Sequence, residues 1–261
     1  MDLGLKQKKA LVTGGSQGLG LAIASALAAE GCDVAIGARG QERLDQAAAA
    51  IRKHGGKVAT IVTDFSNENG CHSFVDKAIE ALSGCDILIN NVGGMIPGTL
   101  ESFTDQQWRD TIDRNLMSYV HTTKHAIPHL KKSKAGRVLN ISGISGKQLF
   151  PGAWSTSLPN AAIIAFNKLC ANDLAPAKIL VNNLSPGMIN TEGWGPRSEA
   201  MAKARGTTPD QIRATFAATA MLNRWGEPHE IGAIAAFLVS EQNSFMTGAT
   251  IECDGGAAKY I

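Results

Sequence analysis

Short runs of aliphatic and β-branched residues alternate along this chain with longer stretches of helical pattern, and that alternation restricts the fold more than any other feature. The runs fall at 9–13 (KALVT), 33–38 (DVAIGA), 57–63 (KVATIVT), 86–90 (DILIN), 137–142 (RVLNIS), 179–185 (ILVNNLS) and 249–253 (ATIEC). Helical patterns lie between them: from near Leu21 through Ala29, then 41–54, 68–82, 104–131 as one helix or two, about 160–174, and 230–240. Strand, helix and strand in succession fold as a right-handed βαβ unit, and a series of such units builds a parallel sheet buried on both faces. The expected fold is therefore α/β: a single doubly wound domain over 1–261 with a mostly parallel seven-stranded sheet. No linker, internal repeat or low-complexity tract interrupts it.

Composition excludes several classes of function. The 25 Lys and Arg against 23 Asp and Glu leave a formal net charge of +2, and no basic block marks a nucleic acid or an anionic membrane as partner. At 44% apolar and 18% charged residues the chain can bury a full core, so disorder is excluded. The 5 cysteines (Cys32, Cys71, Cys85, Cys170, Cys253) are odd in number and widely scattered, which reads as buried reduced thiols rather than a disulfide framework or a zinc site. The apolar run after the N-terminal lysines is too short for a signal-peptide core, and 231–239 is far below a membrane span. A cytoplasmic protein acting on a small molecule is expected.

Between the first strand and the first helix stands Thr13-Gly14-Gly15-Ser16-Gln17-Gly18-Leu19-Gly20. Glycines at such a turn let the backbone approach a pyrophosphate, whose charge meets the free N–H groups of the helix N-terminus. The spacing TGxxxGxG resembles that of the short-chain dehydrogenase/reductase family, a Rossmann-type fold. The resemblance extends through Asp64 after the third strand, Asn90-Asn91-Val92-Gly93 after the fourth, Ser185-Pro186-Gly187 with Thr191, and the C-terminal Arg224-Trp225-Gly226-Glu227-Pro228 and Asp254-Gly255-Gly256. It implies a dinucleotide held by Gly14, Ser16, Gln17, Gly18, Leu19 and Gly20 at the phosphates. Asp64, Phe65, Asn91, Val92 and Gly93 would lie at the adenosine side, and Pro186, Gly187, Ile189 and Thr191 at the nicotinamide side. Family members that prefer NAD carry an acid at the end of the second strand; here Ala38 is followed by Arg39, which suits a 2′-phosphate and points to NADP(H). Gln17 stands where many NADP-preferring relatives carry a second basic residue.

The same resemblance implies an Asn-Ser-Tyr-Lys catalytic set, and three of its positions depart. Asn115 matches the asparagine. Gly143 occupies the usual serine position, with Ser142 beside it, and the Tyr-xxx-Lys pair aligns with Thr156 and Asn160. An aliphatic hydroxyl is far less acidic than a phenol, so Thr156 is no comparable acid. Pro159 fits the first turn of the following helix, and Lys147, on the loop after Ser142, is a candidate replacement acid. The catalytic candidates are thus Asn115, Ser142, Thr156, Asn160 and Lys147. Residues 188–222, the segment that relatives fold over substrate, include Glu192, Trp194, Arg197, Arg205 and a helical stretch at 210–221, with glycines suited to a mobile lid.

His121, His125 and His129 repeat at i, i+4 and i+8 on a helix that in the family forms a dimer surface, and no metal site is expected there. A homodimer or homotetramer is expected. Three classes of function stay open: an NADP(H)-dependent oxidoreductase of altered catalytic set acting on a conjugated or otherwise activated carbonyl compound, a non-redox enzyme (lyase, isomerase or cyclase) on the same fold, or a catalytically silent NADP(H)-binding protein.

Overall fold

The computed structural model of the chain describes residues 1–260. Seven strands, β1 (Lys9–Thr13), β2 (Asp33–Ala38), β3 (Val58–Val62), β4 (Ile87–Asn90), β5 (Arg137–Ile141), β6 (Leu180–Pro186) and β7 (Thr250–Cys253), form one sheet in the order β3-β2-β1-β4-β5-β6-β7. Every pairing is parallel. Side chains alternate strictly between two cores, as the period of two requires. Val12, Ile89 and Leu139 face helices α1 (Gly18–Ala29), α2 (Gln41–Arg52) and α9 (Pro228–Val239), while Leu11, Leu88 and Val138 face α3 (Glu68–Leu82), α5 (Ser118–Leu130) and α6 (Trp154–Leu174). Among the described residues no helix is long and apolar enough to cross a membrane.

The 104–131 stretch takes the two-helix alternative, α4 (Asp105–Ile112) and α5 joined by one π-helical turn, Asp113–Met117, and other helical bounds differ from expectation. Helix α6 begins at Trp154, six residues before the expected start, so Pro159 sits inside it rather than in its first turn. In the 188–222 segment α7 (Trp194–Arg205) was not anticipated, because Gly193, Gly195 and Pro196 read as loop; α8 (Pro209–Ala217) is shorter than the expected 210–221.

A row of buried amides ties the sheet to the helices on one face. Asn90, Asn140 and Asn183 are register neighbours on β4, β5 and β6. Asn90 Nδ2 donates to Thr123 Oγ1 (2.8 Å) and Asn140 Oδ1 (2.9 Å), and Asn140 Nδ2 donates to Asn167 Oδ1 (3.2 Å) on α6. Asn167 Nδ2 continues the row to Ala249 O (3.1 Å), the residue before β7. Buried polar groups are tolerated when each has a partner, and from Asn90 to Asn167 each link satisfies the next, whereas Asn183 bonds Ser142 instead and its Oδ1 has no partner among the described residues. Asn140→Ala leaves Asn90 short of an acceptor and Asn167 Oδ1 short of a donor. The expected loss of stability is about 2–4 kcal/mol, read as a lowered denaturation midpoint at unchanged m value.

Candidate active site

The sheet order reverses on either side of β1, and the strand ends open there into a cleft of about 1600 Å3. Its floor is the loop from Gly14 to Gly20. Gly14 and Gly18 have φ of +65° and +55°, a region that favours glycine. Gly20 passes so close beneath the loop that a Cβ would lie 2.2 Å from Gly14 O. Asn91 braces the turn from behind, its Nδ2 donating to Thr13 O (3.1 Å) and Gly14 O (3.2 Å), while its N–H donates to Thr13 Oγ1 (2.9 Å).

The start of α1 shows what this floor is built to hold. Helices α3, α4 and α8 begin with side-chain caps from Asn67, Thr104 and Thr208, and α9 with a Glu227/Glu230 box. Helix α1, like α5, α6 and α7, has neither a side-chain cap nor an acid in its first turn, and of these it is the one that starts from the glycine loop. Uncapped N–H groups and the positive end of the helix dipole fit a diphosphate. Across the cleft Thr191 approaches the loop, its Cγ2 3.6 Å from where a Cβ on Gly18 would be. Gly187 lies against Asp254, where a Cβ would come within 2.7 Å of the Asp254 Cα. Pro186 and Ile189, also cleft-lining, are buried beside it.

Ser16, Leu19, Arg39, Asp64, Phe65, Val92 and Gly93 line the cleft as expected. Gly20 does not appear on its wall, since its place is under the turn. Arg43, in the first turn of α2 and not among the sequence candidates, does: its Nη1 donates to Gln17 Oε1 at 2.8 Å. Arg39 follows β2 directly, and Arg43 stands with Glu42 in the first turn of α2, all three lining the cleft. Asp64 Oδ1 accepts the N–H of Ser66 (3.0 Å), which fixes the turn after β3.

At the other end of the cleft Asn115 is the central residue. Its π-helical turn presents a buried amide to two segments at once: Oδ1 accepts from Gly94 N (3.0 Å), and Nδ2 donates to Gly94 O and Ser155 O, both at 2.8 Å. The last contact explains the early start of α6. In a regular helix Ser155 O would accept the N–H of residue 159, which is proline and has none. Asn115 supplies the missing donor from another helix, and α6 continues through Pro159.

The remaining catalytic candidates separate. Thr156 and Asn160 both line the cleft from α6. Thr156 Oγ1 donates back to Ala153 O (3.1 Å), and Asn160 Nδ2 donates to Ser145 Oγ (2.9 Å). A Cβ on Gly143 would lie 3.0 Å from that same Nδ2, so Ser145, not Ser142, provides the hydroxyl beside Asn160. Ser142 Oγ instead accepts from Asn183 Nδ2 at 2.8 Å, which ties it to β6. Lys147 points out of the cleft: Nζ pairs with Glu252 Oε1 at 2.6 Å and stands 5.3 Å from the centre of the Tyr260 ring.

Neither of the 2 tyrosines is available as a substitute acid. Tyr119 is buried, donates to Ile141 O (2.7 Å), and burial drives its pKa far upward. Tyr260 donates to Glu252 Oε1 (3.1 Å), and burial with that carboxylate pushes it up to about 12. The mouth of the cleft is closed by the 188–222 segment. Trp194 packs against Phe216 (5.2 Å) and Trp225 (4.8 Å), and the half-buried Arg197 guanidinium, its pKa lowered by burial, lies 5.6 Å from the Trp194 ring.

Comparison with known proteins decides what this cleft belongs to. The family described as enoyl-(acyl carrier protein) reductase matches residues 14–258. An uncharacterised oxidoreductase of Mycobacterium tuberculosis is 36% identical over 97% of this chain and 92% of its own length. The 3-oxoacyl-(acyl-carrier-protein) reductase of Chlamydia pneumoniae is 32% identical over 98% of this chain and 99% of its own. The chain belongs to the short-chain dehydrogenase/reductase family. L-sorbose reductase from Gluconobacter frateurii, solved with NADPH and L-sorbose, superposes with a TM-score of 0.96 over 100% of both chains at 28% identity. The NADPH-dependent reductase YwfH, involved in bacilysin biosynthesis, gives 0.92 over 98% of this chain and 100% of its own at 31% identity.

Within this short-chain dehydrogenase/reductase the tie between Asn115 and Ser155 makes a direct prediction. Asn115→Ala removes the donor to two carbonyls, at an expected cost of about 2–4 kcal/mol. Pro159→Ala restores a main-chain N–H to Ser155 O, so Asn115→Ala should cost less in that background by about 1 kcal/mol, measured as the coupling in a double-mutant cycle.

Proposed function

We propose that the chain is an NADP(H)-dependent oxidoreductase with a non-standard catalytic set, acting on a small carbonyl compound that is conjugated or otherwise activated. The observation that carries this reading is an asymmetry within one cleft. The floor for a dinucleotide is complete, whereas the family's Tyr-xxx-Lys positions, read by alignment, hold Thr156 and Asn160. NADP(H) is supported by Arg39 in place of an acid directly after Ala38, by Arg43 near it, and by the NADPH bound in the sorbose reductase. NADPH bound in the cleft supplies a hydride.

The protein's own groups then orient and polarise rather than protonate. Thr156 Oγ1, Ser145 Oγ and Asn160 Nδ2 are neutral hydrogen-bond donors at the inner end of the cleft. A positioned general acid contributes roughly 10²–10⁴-fold to a rate. Holding two reactants in attack geometry contributes about 7–11 kcal/mol. The second term survives the loss of the first, which favours an acceptor whose product anion is delocalised. Asn115 serves as a positioning residue, since its contacts are to Gly94 and Ser155 in the cleft wall. Residues 188–222 cover the substrate, and the aromatic cluster of Trp194, Phe216 and Trp225 excludes water from it. Leu158 and Leu169, exposed large apolar residues on α6, support assembly into a homodimer or homotetramer, and the cytoplasm is its proposed setting.

A titration of the protein with NADPH and NADH, followed by nicotinamide fluorescence, tests the cofactor reading. NADPH should bind more tightly, and Arg39→Asp should weaken it by about 10- to 100-fold, the worth of charge-assisted hydrogen bonds to a phosphate. Unchanged NADPH affinity in Arg39→Asp overturns the preference for NADP(H), and failure of both nucleotides to bind overturns the redox reading. The catalytic reading predicts a rate independent of pH from about 6 to 9, because neither Thr156 nor Asn160 titrates there.

A further inference from the structure

Helices α3 and α5 lie side by side on one face of the sheet, and a cluster unrelated to the cleft joins them. Glu68 and His72 are i and i+4 in the first turns of α3, so both project from one side of it. His121 faces them from α5. Glu68 Oε1 lies 3.6 Å from His72 Nε2 and 3.6 Å from His121 Nδ1, and the three donor atoms all fall within 4.8 Å of one another. In a tetrahedral site with ligands about 2.0–2.1 Å from zinc, neighbouring donors are about 3.3–3.4 Å apart. Two of the three edges are already close to that spacing, and small side-chain rotations close the third.

Two further observations show that the site is supported. The ring of His125 stacks on His72, with centroids 4.1 Å apart and planes 13° apart, and fixes its orientation. His125 is itself held by Asp76 Oδ1 at 2.7 Å from Nε2, so the ring that stacks on His72 is fixed in place. Glu68 is not needed to start the helix, because Asn67 accepts Gly70 N–H and caps α3. The i, i+4, i+8 histidine row of the sequence is divided: His121 turns to Glu68, His125 to Asp76, and His129 joins neither.

We propose that Glu68, His72 and His121 form a surface site for a divalent transition-metal ion of the zinc class, with water completing the coordination. Two imidazoles and one carboxylate are a borderline-soft set that suits zinc better than magnesium or calcium. An ion held there pins the start of α3 to α5, the helix whose preceding π-helical turn carries Asn115.

The alternative is a pair of plain imidazole–carboxylate contacts with no affinity for metal. Calorimetric titration of tag-free, chelator-treated protein with Zn2+ separates the two, with Co2+ absorption reporting the coordination. The expected result is one Zn2+ per chain and a four-coordinate cobalt spectrum. Binding should weaken by at least about 10-fold in His72→Ala and in His121→Ala, and be unchanged in His129→Ala. Glu68→Gln, which keeps the shape of the side chain, should also lower affinity and serves if an alanine variant fails to fold. Absence of Zn2+ binding in the wild type overturns the proposal, as does binding that persists in Glu68→Gln or in the His72→Ala/His121→Ala pair.

Discussion

One side-chain amide, that of Asn115, holds together the segments that shape the inner half of the cleft. It stands in a widened helical turn, grips Gly94 at both its N–H and its carbonyl, and donates to Ser155 O. Ser155 repeats the tie, its Oγ donating to Ile96 O and accepting from Ile96 N, both at 2.8 Å. The loop after β4 is therefore fixed to the start of α6, and Thr156 and Asn160 take their positions from that junction. Because Pro159 removes the donor that Ser155 O would otherwise have, the junction is also what lets α6 begin where it does.

The two halves of the cleft follow different physical logic. The half nearest β1 and β2 depends on backbone: glycines with positive φ, a helix that begins without its own cap, and a threonine and asparagine that brace the turn from behind. Such a surface suits phosphate and sugar, and Arg39 and Arg43 add a positive charge at its outer end. The inner half depends on side chains: the hydroxyls and amide of Thr156, Ser145 and Asn160 are neutral, and the Arg114 guanidinium nearby is bound to Asn115 Oδ1 and Gly94 O. The groups that titrate and lie nearby are engaged elsewhere, Lys147 with Glu252 and Tyr119 with Ile141 O. The proposed reaction is accordingly one that needs little protonation.

Strand positions were legible in the sequence because a parallel sheet buried on both faces requires continuous apolar runs, and β1 and β2 fall where KALVT and DVAIGA stand. The phosphate loop was legible because its glycines meet local requirements. What escaped depended on contacts distant in sequence. Pro159 has the local signature of a helix start, and only the amide of Asn115, 44 positions earlier by residue number (159 − 115), overrides it. Ser142 was the candidate serine and Ser145 escaped notice, because only the turn after β5 brings Ser145 to Asn160 while Ser142 bonds Asn183. Arg43 and Gln17 meet because α2 brings its first turn over the loop, and Lys147 finds Glu252 across 105 positions.

Whether this cleft transfers hydride without a tyrosine acid is read by deuterium transfer. The protein is incubated with NADPH deuterated at its transferable position and a matched pair of acceptors, a conjugated enone and the corresponding saturated ketone. The proposed chemistry gives deuterium in the product of the enone and transfer to the ketone slower by at least about 100-fold, the lower range of what a general acid contributes. Equal transfer to both acceptors, or to neither, would contradict it.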